Sequence, residues 1–105
     1  MKLRYLVGLS AVLLLSGSAW ADDGEALLKK NNCSTCHNMN NKTVGPSLKA
    51  IAAKYSGDAT AQAKLEAKVR SGGGGSFGSM PMPKAPATVS DADIKTIVSW
   101  ILTLK

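Results

Sequence analysis

The stretch Cys33-Ser34-Thr35-Cys36-His37 constrains this chain more than any other, because two thiols two residues apart are followed at once by an imidazole. Cys-x-x-Cys-His is the attachment motif of a c-type haem. Each residue has a chemical reason. Cys33 and Cys36 can add across the two vinyl groups of one porphyrin and hold it by thioethers. The two-residue spacer brings both sulfurs to the same edge of the macrocycle. His37 then offers a ring nitrogen to the iron as proximal ligand. It is the one histidine in the chain, so no other imidazole competes for that role.

Other uses of such a pair fit less well. A thioredoxin-type redox pair needs a βαβ setting, and the flanks Lys29-Lys30-Asn31-Asn32 and Asn38-Met39-Asn40-Asn41 contain no apolar strand. A structural zinc site needs four ligands, and two cysteines with one histidine leave it one short. A disulfide across a two-residue gap is geometrically tight.

A length of 105 residues allows one domain. Met1 to Ala21 reads as a secretory signal peptide: Lys2 and Arg4 form a basic start, Leu6 to Leu15 an apolar run, and Ala19-Trp20-Ala21 a small-x-small cleavage site. That run is short for a retained membrane anchor, and no cysteine near the cut invites a lipid. Residues 22–105 are therefore expected to form an exported, soluble domain without stable membrane insertion. In an oxidising compartment two cysteines would otherwise suggest a disulfide, and the adjacent histidine argues for haem instead.

The full chain carries 13 basic and 7 acidic residues. Losing Lys2 and Arg4 leaves 11 basic against 7 acidic, a formal charge of about +4 for residues 22–105. Such a mild excess suits an acidic protein partner. Nucleic acid is not expected, since the lysines are scattered and the chain is exported. A domain this small has little core for its length, and a large apolar macrocycle would supply the rest. The haem-free chain is accordingly expected to be largely unfolded.

The periodicity is helical throughout. Asp22 with Glu25 resembles a capping box, opening a short helix that delivers Cys33. Gly45-Pro46 stops regular structure and Ser47 can cap a second helix. In it Leu48, Ile51, Ala52 and Tyr55 share one face, and Gly57 ends it. A third helix is expected from Asp58 or Thr60, with Ala61, Leu65 and Val69 in a stripe and Lys64, Glu66 and Lys68 facing water. Gly72 to Gly75 then reads as a flexible connector: it lacks the Gly-Lys-Ser/Thr ending and preceding strand of a phosphate loop. Ser90 and Asp93 make another capping box, before Ile94, Ile97, Val98, Ile101 and Leu102 on the clearest amphipathic face. The expected class is all-α, about four short helices wrapped around one covalently attached haem c.

From Ser71 to Val89 no helical period is visible, and loops of this length are usually functional. It contains Met80-Pro81-Met82-Pro83. A methionine thioether as second iron ligand makes an electron carrier and raises the potential. Met80 and Met82 are both candidates, stiffened by the prolines around them. Met39 lies too near the attachment motif to reach the other face of the haem.

From Asp22 to Lys105 the chain resembles the small bacterial class I cytochromes c of the c-551/c-552 type. The resemblance rests on Cys33-Ser-Thr-Cys-His37, Val44-Gly45-Pro46, Ile51-Ala-Ala-Lys-Tyr55, Met80-Pro-Met-Pro83 and the final helix with Trp100-Ile101. It implies that Met82, preceded by proline, is the axial ligand opposite His37. It also implies that the Pro46 carbonyl accepts a hydrogen bond from His37. Relatives often have a tryptophan before this loop, where Phe77 stands here, and Pro-Pro-Asn after the ligand, where Pro83-Lys84-Ala85-Pro86 stands. The missing donors are expected to shift the redox potential.

The function expected from the resemblance is a periplasmic mono-haem protein, not an enzyme, shuttling single electrons between respiratory partners. Those partners are redox proteins, such as a terminal oxidase, nitrite reductase or peroxidase, and the carrier itself is expected to be a monomer. Lys29, Lys30, Lys42 and Lys84 lie near the motifs and can ring an exposed haem edge, while Arg70 can meet a propionate. The rival is a gas-binding or peroxidatic haem protein whose iron lacks Met82.

Overall fold

A computed structural model describes residues 17–105, with side chains described from residue 23 onward. The basic start and apolar run of the expected signal peptide lie outside the described residues. Four α-helices follow in order: α1 Gly17–Lys30, α2 Leu48–Lys54, α3 Ala61–Ser71 and α4 Asp91–Ile101. A single 3-10 turn, Cys33–Thr35, stands between α1 and α2. Among the described residues there is no strand, only one isolated antiparallel bridge between Gly73 and Met82.

Helix α1 begins before the expected capping box at Asp22 and so includes the expected cleavage site. Its packing lies further on: Gly24 and Leu28 are buried. The reason Gly24 is a glycine is its neighbour. A Cβ there would stand 2.1 Å from Trp100 Cβ and 3.1 Å from the Thr96 carbonyl. The missing side chain therefore lets α1 and α4 cross in close contact, and Trp100 covers the gap at 7 % exposure.

Local sequence explains the other helices. Ser47 caps α2, its hydroxyl accepting from the Ala50 amide at 3.0 Å, which satisfies one of the orphan donors of a first turn. The helix ends earlier than expected, at Lys54 with Tyr55 as its C-cap, and Gly57 beyond it takes φ +79°, a left-handed conformation open to glycine. Ser90 caps α4 in the same way, accepting from the Asp93 amide at 3.0 Å. Helix α3 starts at Ala61 rather than at Asp58 or Thr60, and Thr60 makes no side-chain cap. The reason is the turn before it: the Asp58 carboxylate accepts from the Thr60 amide at 2.8 Å and the Thr60 hydroxyl at 2.6 Å. Donating to Asp58 turns the hydroxyl back toward that carboxylate and away from the first-turn amides of α3.

The apolar faces read from the periodicity meet in the middle. Leu28, Leu48, Ile51, Ile97, Trp100 and Ile101 form one cluster, and Val89, Ile94 and Val98 a second. Leu65 touches both and joins them. Burying such side chains contributes on the order of 1.5–3 kcal/mol each. Met39, half-buried, packs into the first cluster, where it serves the core.

Candidate haem site

The attachment motif owes its shape to the 3-10 turn. Asn32 ends α1 with φ +62°, which asparagine tolerates better than most residues. The next turn closes through Cys36 N to Cys33 O at 3.2 Å and His37 N to Cys33 O at 3.0 Å. In a 3-10 turn the side chains at i and i+3 eclipse, so Cys33 and Cys36 emerge on the same side. Both are free thiols, each half-buried. Burial pushes the Cys33 thiol above its ordinary range, outweighing a backbone hydrogen bond that lowers it.

His37 is oriented by the turn that follows. Its Nδ1 lies 2.8 Å from the Pro46 carbonyl. A carbonyl can only accept, so Nδ1 carries the proton and Nε2 keeps its lone pair for a metal. Gly45 makes the contact possible: a Cβ there would stand 2.8 Å from His37 Cε1 and 3.3 Å from the Cys36 carbonyl. That carbonyl in turn accepts from the Gly45 amide at 2.9 Å and the Thr43 hydroxyl at 2.8 Å. The turn is thus bonded to the motif at both ends.

The segment between α3 and α4 supplies the methionines. Gly72 to Gly75 is not the free connector its composition suggests. Gly73 donates to the Met82 carbonyl at 2.8 Å and accepts from the Met82 amide at 3.1 Å. Gly72, at φ +68°, lies so close that a Cβ would meet the Met82 carbonyl at 2.5 Å and the Lys84 amide at 2.7 Å. The glycines are therefore the surface on which the methionine loop is laid. Met82 is half-buried and held by this pair, whereas Met80 is 65 % exposed.

Cys33, Cys36, His37, Pro46, Met80 and Met82 all line one cavity of about 710 Å³. This size falls among ordinary cofactor pockets, which run to roughly 1,000 Å³. Its inner wall is the hydrophobic core itself, through Leu28, Ile51, Ile97 and Ile101. A second hollow of about 750 Å³ near Tyr55 and Lys105 contains no cysteine, histidine or methionine. Thiols on one side of a 3-10 turn, an imidazole with a free Nε2, and an apolar slot between them fit a flat, covalently attached haem.

The charged residues sort differently from their order in the chain. Lys42 and Lys84 line the cavity, joined by Lys68, which the helical pattern places facing water. Lys29 instead pairs with Glu25 on α1 at 3.4 Å. Arg70 does not face the cavity: its guanidinium is bonded to the Pro86 and Val89 carbonyls and to Asp91. Phe77, 40 % exposed at the rim, lies 4.5 Å beneath the Lys54 ammonium, which also donates to the Ser76 carbonyl.

A family model for cytochrome c matches residues 21–105. Cytochrome c-552 of Nitrosomonas europaea is 48 % identical over 96 residues, covering 91 % of this chain and 90 % of that protein. Cytochrome c-551 of Pseudomonas aeruginosa is 42 % identical over 92 residues, covering 88 % and 86 %. The crystal structure of wild-type Nitrosomonas europaea cytochrome c552 superposes with a TM-score of 0.73 at 49 % identity, covering 77 % of this chain and 99 % of that one. With its attachment motif intact and its all-α fold shared, the chain belongs to the cytochrome c family of electron carriers, which work with redox partners through one covalently attached haem c and are not enzymes.

Proposed function

We propose that this protein is a periplasmic carrier of single electrons, with haem c bonded to Cys33 and Cys36 and its iron held between His37 and Met82. The observation that carries this reading is that His37 and Met82 line one apolar cavity, each fixed by main-chain hydrogen bonds close to its side chain. When bound, the haem iron supplies the redox chemistry by alternating between its ferric and ferrous states. The chain supplies orientation and environment.

The Pro46 carbonyl, accepting from Nδ1, fixes the His37 tautomer and ring orientation and so leaves Nε2 for the iron. Met82 brings a soft thioether that favours the ferrous state. Its anchoring, half-buried and paired with Gly73, favours it over the exposed Met80. Two protein ligands leave no open position for substrate chemistry. The apolar wall of Leu28, Ile51 and Ile97 excludes water, which favours the less charged iron state.

Lys42, Lys68 and Lys84 at the rim suit a redox partner whose docking face is acidic. By resemblance that partner would be a terminal oxidase, nitrite reductase or peroxidase, with the carrier acting as a monomer. Export follows from the signal peptide, cleaved after Ala21, which leaves domain 22–105 with the buried Gly24 and Leu28 of α1 intact. An intact mass matching Asp22 to Lys105 plus one haem, from a host that exports and matures it, checks the cut.

The ligand set is tested by substitution. In Met82→Ala the iron should bind added cyanide rapidly and the midpoint potential should fall, while Met80→Ala should do neither. The reverse pattern would assign the ligand to Met80 and overturn the reading.

A further inference from the structure

We propose that Arg70 is a positioning residue that keeps the Met82 loop closed, and so sets how long Met82 stays on the iron. This rests on the reading of Met82 as axial ligand. The loop's backbone poses the problem. Pro83 and Pro86 have no N–H, so the limb after Met82 has few donors with which to bond itself in place. At Met82 itself the loop is tied by the Gly73 pair. After it, one backbone bond, Ala85 N to Val69 O at 3.0 Å, reaches the end of α3.

Within the limb the Val89 amide donates to the Pro86 carbonyl at 2.9 Å, and the other donors come from one side chain on that same helix end. Arg70 Nη1 donates to the Pro86 carbonyl at 3.2 Å, and Nη2 donates to the Val89 carbonyl at 2.6 Å. Nη2 also meets the Asp91 carboxylate at 2.7 Å, in the first turn of α4. A planar guanidinium with five donors can span two carbonyls and a carboxylate at once; an ammonium presents its donors from one point. The limb returning from Met82 is thus pinned to α3 at Ala85 by backbone and at Pro86 and Val89 by Arg70.

The two kinds of bond are not equal in weight. The Asp91 side chain is 94 % exposed and the Arg70 side chain 36 % exposed, so the ion pair is screened and contributes little. The Val89 bond is part-buried, beside a residue of the second core cluster. Charge-assisted bonds of that kind are the stronger class. Arg70 therefore acts chiefly through the Val89 carbonyl, since its bond to Pro86 is longer and exposed.

The test is the rate at which cyanide enters the ferric holoprotein, since entry requires Met82 to leave. Arg70→Ala should raise that rate about tenfold. Arg70→Lys, keeping the charge but not the fork, should fall between that and native. Asp91→Asn should stay within about twofold of native. On a Met82→Ala background, removing Arg70 should change nothing further.

Ser99→Ala is the control for global stability. It removes another α3–α4 link, the 3.2 Å bond from the Ser99 hydroxyl to Gln62, away from the loop. It should lower the melting temperature without speeding cyanide entry. Arg70→Ala entering at the native rate, or Ser99→Ala speeding entry in step with its loss of Tm, would overturn the proposal. If Met82→Ala itself binds cyanide no faster than native, the ligand assignment fails and the proposal with it. Should Arg70→Ala yield no holoprotein, Arg70→Gln supplies the same comparison with two donors kept.

Discussion

Two glycines in one loop, replaced separately by alanine, measure how closely the methionine segment is packed. Gly72 and Gly75 both have positive φ, +68° and +103°; a Cβ incurs conformational strain of about 1–2 kcal/mol at Gly75 and up to about 3 kcal/mol at Gly72, whose ψ of −160° lies in a region essentially confined to glycine. Their surroundings differ. Nothing lies within 4 Å of a Cβ at Gly75. At Gly72 the Met82 carbonyl would lie at 2.5 Å, well inside the 3.4 Å at which ordinary contact begins. Backbone cannot yield that distance without opening the Gly73–Met82 hydrogen bonds beside it, each a net contribution of about 0.5–1.5 kcal/mol.

Gly75→Ala should therefore cost about 1–2 kcal/mol and Gly72→Ala about 3–5 kcal/mol. In a domain of this size each 1 kcal/mol moves Tm by about 4–8 °C. Thermal unfolding of the two ferric holoproteins, followed by far-UV circular dichroism, reads the difference directly. Gly72→Ala should also weaken the sulfur-to-iron absorption, and Gly75→Ala should leave it intact. Equal losses of Tm would show that Gly72 is not in close contact with the methionine loop, and the account of that loop would be wrong.

Gly24→Ala should destabilise by at least about 1–3 kcal/mol in urea unfolding, because its Cβ would overlap Trp100 across the α1–α4 crossing; native stability would refute the crossing. Asp58 has its carboxyl lowered to about 2, first by the Thr60 hydroxyl, then by the Thr60 amide and Lys64. A carboxyl lowered on folding stabilises the fold above its unfolded value of about 3.9 and loses that contribution as pH falls through the folded one. Asp58→Asn should thus flatten part of the stability loss between about pH 4 and 2, and identical acid limbs would contradict the turn geometry. Electron-transfer rate to an acidic redox partner should fall as salt rises, since Lys42, Lys68 and Lys84 line the site; a flat profile would remove them from docking.

The sequence and the structure agree most where a single local signal suffices. Cys33 to His37 marks the site because the motif's chemistry is contained in five neighbours. Ser47 and Ser90 mark helix starts because a cap acts within one turn. The faces of α2 and α4 are legible because burial follows the helical period. What escapes is whatever depends on a distant partner. Gly24 is one case, since nothing in α1 names Trp100 as its neighbour. The glycine run reads as slack because composition reports freedom, not the Met82 backbone that uses it. Glu66 falls on the polar side of α3, yet it is half-buried and accepts from Gln62 at 2.6 Å. Arg70 reads as a partner for a propionate, and only the folded loop brings Pro86 and Val89 to it.

The central claim is that Met82 is the iron's second ligand, and the absorption spectrum of the ferric holoprotein tests it most directly. The weak sulfur-to-iron charge-transfer band at the red end should be present in the native protein, persist in Met80→Ala and vanish in Met82→Ala. A native haem spectrum without that band would mean an open or differently filled site, and the gas-binding or peroxidatic reading would replace electron transfer.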